Sequence, residues 1–305
     1  MPDQCAQLSW TASPWTTWIE ITGPSHLRFV QGLCSNDVVA LEVGQGCEAF
    51  IPTVQGKILA HGYLWKSSDR IEFMGLGNQA PDLMAHLQKY ALIEDVEVTD
   101  QGDHSKAILV WGEGLIVCLQ TLLGGEAVMG SLTQGNVAWE GHSLRLSFPT
   151  ALNVDAVEIR GEQAEAFAAQ LSQRGAAEVG VDAFDQARIA HRFPCHGIDI
   201  TAEHLAQEAN RDDQAISFKK GCYLGQETIA RIDALGHVNK KLVAVQLPCE
   251  VSHLPQPITV EGKEIGQITS AANLDGKFVG LAMIRRSHNA PGTRIESELG
   301  TIEVI

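Results

Sequence analysis

From Lys240 onward the chain changes texture, and this constrains the fold more than any other feature. Short β-like runs recur at 242–247, 258–260, 265–269, 278–284, 293–296 and 301–305. Turn signals separate them: Glu261-Gly262-Lys263, Asp275-Gly276, Pro291-Gly292 and Leu299-Gly300. Regular short strands with such punctuation predict a small antiparallel barrel or sandwich. A boundary is therefore expected near residue 238, with 1–238 as one region and 239–305 as another. At 305 residues the chain has ample material for such a division.

The region before that boundary mixes both kinds of periodicity. Residues 18–22 alternate like a strand. Ser25 then caps a short helix that buries Leu27 and Val30 and stops at Gly32. Strands are expected at 47–50, 58–65, 71–74, 93–99 and 108–111. Pro81 suits the first turn of a helix through Tyr90, with Leu83 and Leu87 inward. The glycine-rich stretch 112–141 reads as strands and turns. Residues 161–174 form an amphipathic helix that buries Ala164, Phe167, Ala168 and Leu171 and ends at Gly175. Asp182 is expected to cap another helix through Arg192. Residues 193–218 show little periodicity and read as a long ordered loop, a kind of segment that often carries function.

That loop leads into Lys219-Lys220-Gly221-Cys222-Tyr223-Leu224-Gly225-Gln226-Glu227. A helix is expected over Gln226–Leu235, with Ile229, Ile232 and Leu235 on one stripe and Gly236 as its stop. Cys222 thus stands two residues past a lysine and close to a helix N-terminus. Both features favour a thiolate. The competing reading is a small buried hydrophobe, the commoner fate of a lone cysteine.

Composition narrows the chemistry. The formal net charge of −15 argues against direct binding to nucleic acid or to an anionic membrane surface. Within that acidic chain, residues 210–241 carry a small excess of cations, which on charge alone reads first as a solvated helix face and alternatively as a site for an anionic small molecule. Seven cysteines, an odd number with no C-x-x-C pair, suggest reduced thiols in a cytoplasm rather than a disulfide framework or a metal set. His191, Cys195, His196, Asp199 and His204 match no standard zinc spacing, and no metal site is expected. Phosphate-cradling glycine loops and a G-x-S-x-G elbow are missing from the sequence. The start, Met1-Pro2-Asp3-Gln4-Cys5, has no basic stretch followed by an apolar one, so no signal peptide is expected, and no apolar run reaches membrane-spanning length.

Three stretches carry a family resemblance. The first is Ile21-Thr22-Gly23-Pro24 followed by Gln31-Gly32-Leu33-Cys34-Ser35-Asn36-Asp37-Val38. The second runs over 52–61 and contains Gln55-Gly56-Lys57-Ile58-Leu59. The third and most specific extends from Gly197-Ile198-Asp199-Ile200-Thr201 through Lys220-Gly221-Cys222-Tyr223 and Gly225-Gln226-Glu227 to Ala230-Arg231. With Gly266 and Gly280-Leu281-Ala282 in the tail, the chain resembles the GcvT/YgfZ folate-binding superfamily, on its YgfZ side. The resemblance implies an α+β, aminomethyltransferase-like (GcvT-like) fold: two intertwined α/β subdomains with antiparallel sheets around a folate pocket, plus a small C-terminal β-barrel. It also implies tetrahydrofolate as cofactor. Cys222 and Lys220 become the expected catalytic pair. Tyr223, Gly225, Gln226, Glu227, Arg231 and Asn36 become the expected cofactor contacts, with Arg231 towards the glutamyl tail.

Members that transfer aminomethyl groups use an acidic residue in a turn that here reads Gly56-Lys57-Ile58-Leu59-Ala60-His61. Ala60 cannot exchange protons, and His61 is a different group. Arg192 stands where the family often has glycine, and Ala206 where it often has proline. The resemblance therefore implies an accessory factor for the assembly or repair of iron–sulfur enzymes, including tRNA-modifying ones, with those enzymes or their assembly proteins as partners. The alternatives are a folate-dependent one-carbon transferase and a non-catalytic interaction protein on an enzyme fold.

Overall fold

A computed structural model describes residues 5–102, 106–124 and 130–305. Two sheets lie face to face, each backed by two helices, and a third sheet curls beside them. β1 (Leu8–Ala12) belongs to one of the stacked sheets and β2 (Thr17–Thr22) to the other.

The β2 sheet adds β3 (Gly46–Pro52), β4 (Ile58–Lys66), β5 (Arg70–Gly75) and β6 (Glu97–Asp100), in the antiparallel order β3-β4-β5-β2-β6. Side chains alternate across a strand, so each strand serves both faces. Ile19, Ile21, Leu64 and Phe73 point to the outer face, where α1 (His26–Gln31) and α2 (Ala80–Ala91) cover them with Phe29, Val30, Leu83 and Leu87. Trp18, Tyr63, Trp65 and Met74 point to the inner face.

The second stacked sheet, order β11-β1-β7-β10-β9-β8, is completed by β7 (Ala107–Gly112), β8 (Gln134–Trp139), β9 (His142–Ser147), β10 (Ala156–Arg160) and β11 (Ala177–Glu178). Its outer face is backed by α3 (Leu115–Leu123) and α4 (Ala164–Gln173). Its inner face meets the aromatic layer of the first sheet. There Trp15 makes edge contacts with Tyr63 and Phe193 at 5.6 and 5.8 Å, and Tyr63 stacks on Phe193.

Helix α4 buries the four residues expected of it. Gly175, at φ +100°, closes it with the Gly175 N–H to Ser172 O and Ala176 N–H to Leu171 O bonds of a Schellman motif. Other expectations need correction. Residues 112–141 include helix α3, flanked by Gly114 and Gly124, both left-handed. It buries Leu115, Cys118, Leu119 and Leu123, a helical period hidden in an almost continuous apolar run. Residues 125–129 of that stretch lie outside the described part. Strand β6 starts only at Glu97, because Leu92 and Ile93 are 85% and 91% exposed. The helix expected from Asp182 is α5 (Val181–Ala190), capped by Gly180 and ending before Arg192. The reduced-thiol expectation fails at one pair: Cys5 and Cys118, 113 residues apart, form a disulfide that ties the chain start to α3.

Beyond α5 the chain runs through a 3₁₀ turn (Ala206–Ala209), the short α6 (Asp212–Ala215) and α7 (Gln226–Leu235). β12 (Lys240–Gln246), β13 (Gln256–Val260), β14 (Lys263–Leu274), β15 (Lys277–Arg285), β16 (Arg294–Ser297) and β17 (Gly300–Val304) then form the third sheet, order β13-β14-β15-β12-β17-β16. Its edge strands β13 and β16 come together, so the sheet nearly closes as a barrel. Alternation explains how it attaches. Val243 and Val245 fill the barrel, while Leu242 and Ala244 pack outward against Phe50, Ile58 and Ile200.

One buried ion pair pins the barrel to the 193–218 segment. Asp199 accepts from Arg188 (2.8 Å), from the Cys195 amide (2.9 Å) and from the hydroxyls of Thr269 and Ser270 (both 2.6 Å). Every acceptor position of this carboxylate is used, which offsets the cost of burying it. Among the described residues no helix is long and apolar enough to cross a membrane.

Candidate functional site

The KGCY segment is held by its neighbours on all sides. Gly225 adopts φ +80°, and a Cβ there would lie 2.4 Å from Thr53 O. Only glycine satisfies both constraints. The Thr53–Gly56 turn thus interlocks with the start of α7, and Leu224 N–H donates to Gly32 O at 2.9 Å. Tyr223 is buried with Ile58, Ala206 and Ile229.

Lys220 points inward. Its ammonium donates to the carbonyls of Gln31, Cys34 and Asn36, each at 2.8 Å, and sits 4.9 Å from the Tyr223 ring. Cys34 Sγ lies 3.6 Å away. Burial lowers the Lys220 pKa, opposed by its contact with Cys34, while burial raises that of Cys34 despite the ammonium. All three N–H donors are thus committed to the 31–36 turn. The expectation that Lys220 serves Cys222 needs correction: the lysine is an internal tie, and Cys222 stands exposed on the loop that it anchors.

The expected cofactor contacts scatter. Asn36 donates to the carbonyls of Glu48 (2.8 Å) and Gln214 (2.9 Å) and accepts from Asp37 N–H, so its amide serves the backbone. Gln226 is half-buried at the first turn of α7, and Glu227 and Arg231 are exposed on it. Of the predicted stripe, Ile229 and Ile232 are buried, whereas Leu235 is 60% exposed.

A polar cleft lies elsewhere, between α5, the 209–214 segment and the barrel. It measures about 490 Å³ and presents Thr150, Asn153, His191, Arg192, Asn210 and Arg211 opposite an apolar wall of Leu242, Ala244 and Leu281. None of the residues lining it is acidic. It adjoins a recess of about 340 Å³ that shares Thr150, Asn153 and His191. Cys222, Tyr223 and the other α7 residues named above are not part of this lining.

Behind the cleft wall is a constellation that the sequence reading missed. Glu48 of β3 receives a two-pronged bond from Arg211, Nε to Oε1 at 2.8 Å and Nη2 to Oε2 at 2.5 Å. His61 Nε2 reaches the same carboxylate at 2.8 Å. Phe193 backs both, with ring centroids 5.2 Å from His61 and the guanidinium carbon of Arg211 5.4 Å away. Burial alone would raise the Glu48 pKa, but the bonds from Arg211 and His61 outweigh it and hold it at about 2. The available signal was a single carboxylate in an apolar strand, Cys47-Glu48-Ala49-Phe50. Ala60 is packed in the core beneath α1 and α2.

No protein-family model matches the chain. Among solved structures, the glycine cleavage system aminomethyltransferase T from Bartonella henselae superposes with a TM-score of 0.85 over 98% of this chain and 85% of that one, at 18% identity. The architecture is therefore the aminomethyltransferase fold. The tRNA-modifying protein YgfZ of Vibrio vulnificus (strain YJ016) is 30% identical over 237 residues, covering 73% of this chain and 65% of that protein. The aminomethyltransferase of Symbiobacterium thermophilum is 25% identical over 91% of this chain and 78% of its own length. A putative chloroplastic transferase of Arabidopsis thaliana is also 25% identical over 91% of this chain, and the chain spans 65% of that relative. The chain is a YgfZ-type member of the GcvT/YgfZ superfamily.

Proposed function

We propose that this protein binds a reduced folate in the cleft between α5 and the barrel, and that it supports iron–sulfur enzymes, among them enzymes of tRNA modification, through the exposed Cys222. The observation that carries the reading is the character of the cleft. Its volume of about 490 Å³ falls within the ordinary range of small-molecule sites. One wall is apolar and suits a flat ring. The other offers the hydroxyl and amides of Thr150, Asn153 and Asn210 and the guanidinium group of Arg192, which suit ring heteroatoms and carboxylates. These residues fit tetrahydrofolate. When bound, that cofactor would supply one-carbon chemistry at its reduced ring nitrogens.

The same lining weighs against the transferase alternative. No carboxylic acid lines this cleft, the His61 Nε2 edge is engaged by Glu48, and Ala60 has no proton to exchange. General acid–base assistance is worth about 10²–10⁴ in rate. Support for a role near tRNA modification comes from the relative named as a tRNA-modifying protein. The iron–sulfur clients and a cytoplasmic setting extend that reading.

Calorimetric titration with tetrahydrofolate tests it, alongside an assay for aminomethyl transfer from a lipoyl-protein carrier. The expected result is micromolar or weaker binding, about −8 kcal/mol or less in magnitude, without transfer. No heat and no thermal shift at millimolar folate would refute the cleft assignment. Transfer at ordinary enzymatic turnover would instead establish the transferase.

A further inference from the structure

A small recess of about 140 Å³ lies where the 3₁₀ turn, α6, the end of α7 and β12 meet, and it shares no lining residue with the folate cleft. Gln207, Asp212, Asp233, Gly236 and Lys241 line it. Two acceptor atoms of this lining are buried and unpaired. Gln207 is 3% exposed. Its Nε2 donates to Ile229 O at 2.6 Å, which fixes the amide and leaves Oε1 without a partner. Asp212 Oδ1 is likewise buried without a hydrogen bond. Buried acceptors lacking donors are rare and costly, so two on one recess mark where donors belong. Burial pushes the Asp212 carboxyl up to about 6, against the pull of the Lys241 charge and reinforced by Asp213 and Asp233. Lys241 thus acts on Asp212 through its charge but makes no bond to Oδ1.

The lining calls for both signs of charge. Gln207, Asp212 and Asp233 present acceptors, and Gly236 caps the C-terminal end of α7, the end of a helix that favours positive charge. Lys241 presents an ammonium to the same space. A bare metal ion answers only the first set and is opposed by the lysine. Among the described residues, no group of three His, Cys, Asp or Glu could hold one. A simple anion answers only the lysine and is opposed by the carboxylates. The recess of about 140 Å³ has room for about four or five water molecules, so a ligand that carries both charges has to be short.

We propose that this recess binds the zwitterion of a small α-amino acid, of alanine or serine size, with its ammonium held by Gln207 Oε1, Asp212 and Asp233 and its carboxylate by Lys241. Each unpaired acceptor then receives a donor, and each charge of the ligand meets its opposite. Charge-assisted bonds of this kind are the strong ones for their size. The site is independent of the folate reading of the cleft.

The test is calorimetric titration of the full chain with L-alanine and L-serine, with ethylammonium and propionate as controls that carry one charge each. At least one of the two amino acids should bind with a dissociation constant on the order of 1 mM or tighter. Each control should bind at least about tenfold more weakly. Asp212→Asn and Lys241→Gln, made singly, should each weaken amino-acid binding about tenfold. Melting temperature reports whether each variant is folded, and if Asp212→Asn is not, Lys241→Gln carries the comparison. No binding of either amino acid at about 20 mM overturns the proposal and leaves the recess to water. Ethylammonium binding as tightly as the amino acid makes it a plain cation site, and propionate doing so makes it a plain anion site; either result overturns the proposal. Amino-acid binding undiminished in the folded variants places the ligand elsewhere and overturns it too.

Discussion

Arg211 and Glu48 are 163 residues apart and meet through two parallel hydrogen bonds of 2.8 and 2.5 Å. The pair joins the inner edge of β3 to the wall of the cleft. Glu48 is 2% exposed and Arg211 7%, so the pair stands almost fully out of water and each member depends on the other.

The Glu48 pKa makes stability depend on acid. Its folded value of about 2 lies below its ordinary 4.5, so the contribution is fully present above about pH 4.5 and is lost as pH falls towards 2. The difference corresponds to about 3 kcal/mol. Glu48→Gln should remove about that much stability at neutral pH and flatten the acid limb of a stability-against-pH curve. Denaturant melts between pH 2 and 7 measure both. An unchanged acid limb in the variant would show that other carboxylates govern acid unfolding.

Lys220 should prove a folding residue. Lys220→Met would leave the carbonyls of Gln31, Cys34 and Asn36 without their shared donor. Buried acceptors stripped of partners cost about 1–3 kcal/mol each where water cannot replace the bond. A fall in melting temperature together with faster proteolysis at 31–36 is the expected outcome. A variant as stable as wild type would mean that the tie is dispensable.

The Cys5–Cys118 disulfide predicts a redox-dependent melting temperature. It closes a long loop, 113 residues in sequence, and native disulfides typically contribute about 2–4 kcal/mol. Melting with and without a membrane-permeant reductant should differ accordingly, and Cys5→Ser/Cys118→Ser should reproduce the reduced value. Equal melting in both states would show that burial alone holds the N-terminal segment on α3.

What was legible in the sequence follows from the range of the physics involved. Helix α7 could be bounded to the residue because Gly225 and Gly236 punctuate it locally, and the barrel strands because turn dipeptides separate them. Helix α3 was not legible, since Leu115–Leu123 is apolar on nearly every side and its period is revealed only by what covers it. The disulfide and the Glu48–Arg211 pair join residues more than a hundred positions apart, and no local spacing encodes such a meeting. The family resemblance anticipated the fold. It also drew attention to the KGCY segment, yet the cleft is lined by Arg192, Asn210 and Arg211 from the segment before it.

Cys222 is where the two halves of the functional reading separate. Its side chain is exposed and lies outside the lining of the cleft between α5 and the barrel, on a loop held by Lys220, Gly225 and the Leu224 bond to Gly32. A rigid loop presenting an exposed thiol suits reaction with a partner rather than packing. Cys222→Ala should therefore change stability by less than about 0.5 kcal/mol and folate affinity by less than about twofold, yet fail to restore iron–sulfur enzyme activity in cells lacking the native gene. Cys222→Ser should fail equally, because a hydroxyl is a weaker nucleophile and a poorer ligand for soft metals. Gly225→Ala provides the contrast: its Cβ would strike Thr53 O and its backbone would be strained, so it should lower the melting temperature as well as function. If Cys222→Ala complements fully while Gly225→Ala does not, the motif serves to shape the loop, and the thiol has no part in the activity.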